Sequence, residues 1–210
     1  MYKTSESLEE MSMENGRVRA FTPGWLERES VFLHMEYKYF LGLLKAGLYD
    51  EFYEVIEDAL IPCQNPEVYG RSILENSSFI ASSANPDPSV RGRGFVARLS
   101  GSTVEMLSMW LGMFLGEGGF GLKDGNLQFT LSPCLKSDFF DDQGEAWFTL
   151  CGKCKVIYHN ESRKNTYGPE GARVRRMTLL GAEKQYEVMG DTVDKQLAEM
   201  IRQGEIRQID

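Results

Sequence analysis

The chain has 210 residues, 42% of them apolar and 26% charged, which is the composition of an ordinary globular protein and not of a disordered segment. Its formal net charge of −8 (31 acids against 23 bases) speaks against broad binding to nucleic acid or to an anionic membrane, because phosphate surfaces need a positive partner. No stretch approaches the ~20 apolar residues of a spanning helix, and the opening MYKTSESLEEMSMENG lacks the basic-then-apolar order of a signal peptide, so a cytoplasmic location is the simplest expectation.

Residues 1–22 read as a polar N-terminal segment. From Pro23 to about Gly116 the pattern is helical. ERESVFLHMEYKYFLGLLKAG (27–47) predicts a helix with two apolar stripes, one through Phe32, Met35, Tyr39, Leu43 and Ala46, the other through Leu33, Tyr37, Leu41 and Leu44. A helix apolar on more than half its circumference is expected to lie between layers, with Gly47 as its stop. YDEFYEVIEDAL (49–60) predicts a second helix ending before Pro62, antiparallel to the first because the turn is so short. NPEVYGRSILENSSFIASSANPDPSVRGRG (65–94) reads as a long polar loop, and long loops in compact domains tend to carry function. A third helix, from Ser102 to Leu115, is apolar nearly all round and is expected to be buried on every side.

After GEGGFGLKDG the period changes to that of strands. NLQFTLSP, EAWFTLCG, KCKVIYHN, ARVRRMTLLG and KQYEVMG predict an antiparallel sandwich or jelly roll over residues 121–210. DTVDKQLAEMIRQG closes it as a short helix with Asp191 or Thr192 as N-cap and Gly204 as stop. Cys63, Cys134, Cys151 and Cys154 are too few for a disulfide scaffold and read as free thiols. Cys151 and Cys154, with Cys134 and His159, have the residue types of a zinc site. The two strands meeting at Gly152-Lys153 need them only as small apolar residues, and a second close-spaced ligand pair is missing.

One stretch stands out against the acidic background. VRGRGFVARLSGSTVEMLSMW (Val90–Trp110) gathers Arg91, Arg93 and Arg98, without an acid, ahead of Ser100-Gly101-Ser102 and the start of the third helix. A helix N-terminus has unpaired N–H groups and a dipole that favours an anion. Glycine admits close approach, flanking hydroxyls add donors, and arginine suits bidentate phosphate contact. The competing account is a serine cap with the arginines paired to acids elsewhere. In the polar loop, Tyr69, Arg71, Glu75 and Asn76 suit sugar hydroxyls, or else a turn, a cap and packing. Glu36, alone on an apolar stripe, is expected in a buried salt bridge. His34 and His159 read as structural, and Trp110 and the methionines as core.

HMEYKYFLGLLKAGLYDEF, NPEVYGRSILENSSFIASSANPD and GRGFVARLSGSTVEMLSMWLGMFLG together resemble the C-terminal part of the cellobiose phosphorylase family of inverting glycoside phosphorylases. The branch with the 1,2-β-oligoglucan phosphorylases is the most similar. The resemblance implies an α+β multidomain fragment, in which residues 23–120 are the last helices of an (α/α)6 barrel and residues 121–210 a C-terminal jelly roll. It implies phosphate binding by Ser100, Gly101 and Ser102, with Arg98 the nearest cation in sequence, and sugar contacts from Glu75, Asn76, Arg71 and Tyr69. The family's general-acid Asp precedes this sequence, so no catalytic residue is expected in the fragment, and the isolated chain is expected to be inactive. A His that touches phosphate in cellobiose phosphorylase is Ser82 here, which leaves the phosphate constellation incomplete. The implied ligands are β-glucan oligosaccharide and inorganic phosphate as co-substrate, with no metal or organic cofactor. The implied partner is the remaining N-terminal barrel segment or a subunit, without which the fragment is expected to self-associate as a homo-oligomer. A non-catalytic carbohydrate-binding or structural remnant is the alternative from another class.

Overall fold

The computed structural model describes Ser12, Glu14, residues 17–97 and residues 101–210. Most of the polar segment 1–22 therefore lies outside the described residues. The chain divides into two units, Met1–Met109 and Trp110–Asp210. Among the described residues it is an α+β protein with five α-helices and three sheets, mainly antiparallel.

In the first unit, α1 (Leu33–Lys45) buries Leu33, Tyr37, Phe40, Leu41, Leu43 and Leu44, the second of the two predicted stripes together with Phe40 and with Leu43 of the first. Met35 and Tyr39 of the other stripe are 62% and 40% exposed, so α1 is covered on one side and not sandwiched. Its end is a Schellman turn. Gly47 takes φ 73° and donates to the Leu44 carbonyl, while the Leu48 N–H reaches back to Leu43 at 3.0 Å. Leu48 then opens α2 (Tyr49–Ala59), as the short turn predicts. The start of α1 lies six residues beyond the expected Glu27. Leu26 and Glu29 take positive φ, and β1 (Val31–Phe32) pairs with Ile80 and Phe79, so this backbone is engaged outside any helix.

The region read as a long loop is structured. It contains the one-turn helix α3 (Pro66–Tyr69) and the strand β2 (Ser77–Ile80), and leads into β3 (Gly94–Ala97), giving an antiparallel sheet in the order β1-β2-β3. Trp25, Phe79 and Phe95 pack on it with ring centroids 4.3–5.6 Å apart. Each such aromatic pair adds about 0.5–1.5 kcal/mol beyond the area it buries.

The third predicted helix is α4 (Gly101–Leu115). The expectation that it is buried all round is wrong. Met109, Met113 and Phe114 are buried, but Val104, Leu107 and Leu111 are 63%, 60% and 54% exposed, and Trp110 is 37% exposed. A helix apolar on every side carries no directional signal, and packing within this chain covers only one face.

In the second unit, β4 (Gly119–Lys123) and β5 (Asn126–Thr130) form a hairpin through Asp124-Gly125, both at positive φ, with β10 (Thr192–Val193) on the other side of β5. The five-stranded sheet has the order β6 (Glu145–Leu150), β7 (Cys154–His159), β11 (Gln208–Ile209), β8 (Arg176–Leu180), β9 (Gln185–Met189). All its pairings are antiparallel except β11 on β7. Strict alternation puts Ala146, Phe148, Val156, Met177, Leu179 and Ile209 inward. The helix α5 (Lys195–Gln203) ends at Gly204 as expected. Its N-cap is Asp194, whose carboxylate accepts from Leu197 N–H at 3.2 Å, and not Asp191 or Thr192, because Thr192–Val193 is engaged as β10. No helix among the described residues is long and apolar enough to cross a membrane.

Candidate functional site

The expected sugar residues fall on the short path from α3 to β2. Asn65 caps α3 by accepting from Glu67 N–H, and Gly70 turns the chain out of it in the left-handed region. Tyr69 is thereby aimed inward and is 1% exposed. Its hydroxyl donates to the Glu75 carbonyl at 2.6 Å, accepts from Ser77 N–H at 3.2 Å and meets Ser77 Oγ at 2.6 Å. Burial holds this phenol above its ordinary range, so it stays a neutral donor. Gly94 of β3 lies beneath the ring, where a Cβ would sit 2.1 Å from Tyr69 Cε2. Tyr69 thus pins the loop to the sheet.

Arg71 is held from two sides. Its Nε donates to the Gly94 carbonyl at 2.8 Å and its Nη1 faces Glu75 Oε2 at 3.5 Å. This ion pair is well exposed and contributes little to stability, but it places a cation and a carboxylate side by side at the surface. Asn76 follows, with its Oδ1 accepting from the buried Tyr37 hydroxyl at 3.3 Å. With its oxygen engaged, the amide NH2 is left as a donor without a partner among the described residues. Ser82, which the resemblance set at the position of a phosphate-touching His, is buried, and its hydroxyl donates to the Glu29 carbonyl at 2.5 Å.

Of the residues expected to bind phosphate, Arg98 and Ser100 lie outside the described residues. Gly101 opens α4, and Ser102 in its first turn is fully buried. The other arginines of the basic run diverge. Arg91 donates through Nε and Nη2 to the Asn85 carbonyl at 2.9 and 2.7 Å, which makes it a loop clasp. Arg93 lies across Gly70. Glu36 does not meet the expected salt bridge among the described residues. It is half-buried, and burial raises its carboxyl above the usual range.

The cysteines are free, with Cys134 and Cys154 buried and Cys63 and Cys151 exposed. Cys151 and Gly152 take positive φ in the turn between β6 and β7, and Cys154 points inward with Val156. His159 pairs with Glu145 and Asp210, away from the thiols. No group of three His, Cys, Asp or Glu side chains close enough to hold a metal occurs among the described residues.

The sequence reading passed over a cleft of about 540 Å3 in the second unit, lined by His159, Arg175, Arg176 and Asp210. Its signal was legible as a second basic run, ARVRR, in a segment read only as a strand. No family model and no curated protein matches this sequence.

Proposed function

We propose that this chain is the C-terminal portion of an inverting glycoside phosphorylase acting on β-glucosides, with the last helices of an (α/α)6 barrel ahead of a jelly roll. The observation that supports this most is a convergence within the first unit. The pairing of β2 with β3 sets Ser77 opposite Ala97. Glu75 and Asn76, directly before β2, therefore share one end of the sheet with the segment that leads into α4. Gly101 is four residues beyond Ala97, at most about 14 Å along an extended chain. Sugar-type and phosphate-type groups, far apart in sequence, are thus within reach of one substrate complex.

In this reading a carboxylic acid from a segment outside these 210 residues protonates the departing glycosidic oxygen. Phosphate attacks the anomeric carbon from the opposite face, where water stands in an inverting hydrolase. The first-turn N–H groups of α4 hold the phosphate, and Asn76 NH2 with the Arg71–Glu75 pair meets sugar hydroxyls. Rigid orientation supplies much of the rate enhancement. The exposed Val104, Leu107 and Leu111 favour a chain completed by another segment or subunit over a self-sufficient carbohydrate-binding remnant.

Titration with inorganic phosphate at constant ionic strength, followed by amide NMR, tests the reading. Gly101 and Ser102 are expected to shift, and Asn76 to shift on addition of a 1,2-β-gluco-oligosaccharide. Gly101→Val is expected to abolish the phosphate response with little change in melting temperature. Absence of both responses in the wild type overturns the proposal. Formation of glucose 1-phosphate by the chain alone is expected to be absent, and turnover near ~1 per second would place the general acid within this sequence.

A further inference from the structure

We infer that the cleft in the second unit binds a small anionic sugar, with the chemistry of a hexose phosphate. This does not rest on the phosphorylase reading. The cleft forms where β7 and β11 end and β8 begins, so its two walls have opposite chemistry.

One wall is cationic. Arg173 donates to the carbonyls of Thr166 and Gly168 at 2.5 and 2.8 Å, fixing the approach to β8 while keeping its charge. Arg175 and Arg176 follow, exposed and without a partner among the described residues. Two free guanidinium groups beside a third fixed charge, in a chain of net charge −8, are suited to a phosphate or carboxylate.

The other wall is a chain of oriented polar groups. Glu145 stands opposite His159 across β6 and β7, with Oε1 3.1 Å from Nδ1. His159 Nε2 lies 3.5 Å from Asp210 Oδ1. The Asp210 main chain exchanges two hydrogen bonds with Thr178, and Gln208 Nε2 contacts both of its carboxylate oxygens at 3.0 Å. Asp210 is thereby fixed in direction. A carboxylate held in this way accepts from vicinal hydroxyls. Ile157, half-buried on the same face as His159, adds apolar surface for a sugar ring. The volume falls within the ~300–1,000 Å3 of small-molecule sites.

Isothermal titration of the 210-residue chain with glucose 1-phosphate, glucose and inorganic phosphate tests this, in the wild type and in the Gly101→Val background that removes the proposed α4 site. Glucose 1-phosphate is expected to bind more tightly than either component in both backgrounds. Arg175→Gln with Arg176→Gln is expected to weaken it by roughly tenfold or more, with the fold checked by circular dichroism. Asp210→Asn is expected to weaken glucose 1-phosphate but not inorganic phosphate. The inference is overturned by absence of saturable binding, or by equal affinity for inorganic phosphate and glucose 1-phosphate in the Gly101→Val background. It is also overturned by binding that survives the arginine changes and is lost with Gly101→Val, which would place the anion at α4.

Discussion

The hydroxyl of Tyr37 on α1 donates to Oδ1 of Asn76 at 3.3 Å while accepting the main-chain N–H of Ile61 at 3.0 Å. One fully buried phenol therefore ties the first helix to the end of α2 and to the residue before β2. Burial keeps it protonated well above its ordinary range. Tyr37→Phe leaves the Ile61 N–H without its acceptor in a buried position, at a cost of about 1–3 kcal/mol. Urea denaturation is expected to show that loss with an unchanged slope, and the proposed oligosaccharide response of Asn76 should weaken alongside.

Gly94 and Gly121 predict opposite outcomes for the same substitution. A Cβ at Gly94 would stand 2.1 Å from Tyr69 Cε2 and 2.5 Å from Ser77 Oγ, whereas one at Gly121 meets nothing within 4 Å. Gly94→Ala is expected to cost about 1–3 kcal/mol or more by overpacking. Gly121→Ala should be neutral or stabilise by a fraction of that, through the unfolded chain. Thermal melts of the two variants separate them.

The apolar face of α4 sets the association behaviour. With Val104, Leu107 and Leu111 all more than half exposed, the isolated chain is expected to self-associate and to bind a hydrophobic dye. Leu107→Lys with Leu111→Lys should suppress both without lowering stability. Sedimentation velocity against concentration reads the first effect and dye fluorescence the second. A monomeric wild type that binds no dye would count against a covering partner.

Stability is expected to fall on the alkaline side. Burial pushes the Cys134 thiol up to about 11, and burial with the neighbouring Cys151 pushes Cys154 to about 11. In the unfolded chain both ionise near ~8.5. Between those limits the unfolded state has lost protons that the folded state retains, so stability declines as pH rises from about 8.5 and levels off above about 11. Urea midpoints over that range measure it. At pH 8, alkylation followed by mass spectrometry should find the exposed Cys63 and Cys151 modified well before Cys134 and Cys154.

Much of the architecture was legible because it rests on local period. The five strands read from alternation appear as β5 to β9, and the Gly47 and Gly204 stops hold because only the left-handed region closes those helix ends. β4 was missed although Asp124-Gly125 is a strong hairpin signal, since Gly119 and Gly121 mask its alternation. Arg71, Glu75 and Asn76 were legible as a polar cluster. That Tyr69 faces inward and Asn76 is oriented by Tyr37 was not, because both facts depend on partners up to 39 residues away.

By itself the sequence determined the change from helical to strand period, the inward faces of the long strands and the two basic runs. Only the tertiary structure decided the rest. Two-residue strands such as β1, β10 and β11 have no periodicity to read and exist because a distant strand offers them its hydrogen bonds. A helix apolar on all sides, such as α4, states that burial is favourable but not which face obtains it. The second unit's cleft joins His159 of β7, Arg176 of β8 and Asp210 at the end of β11, and sheet order brings them together.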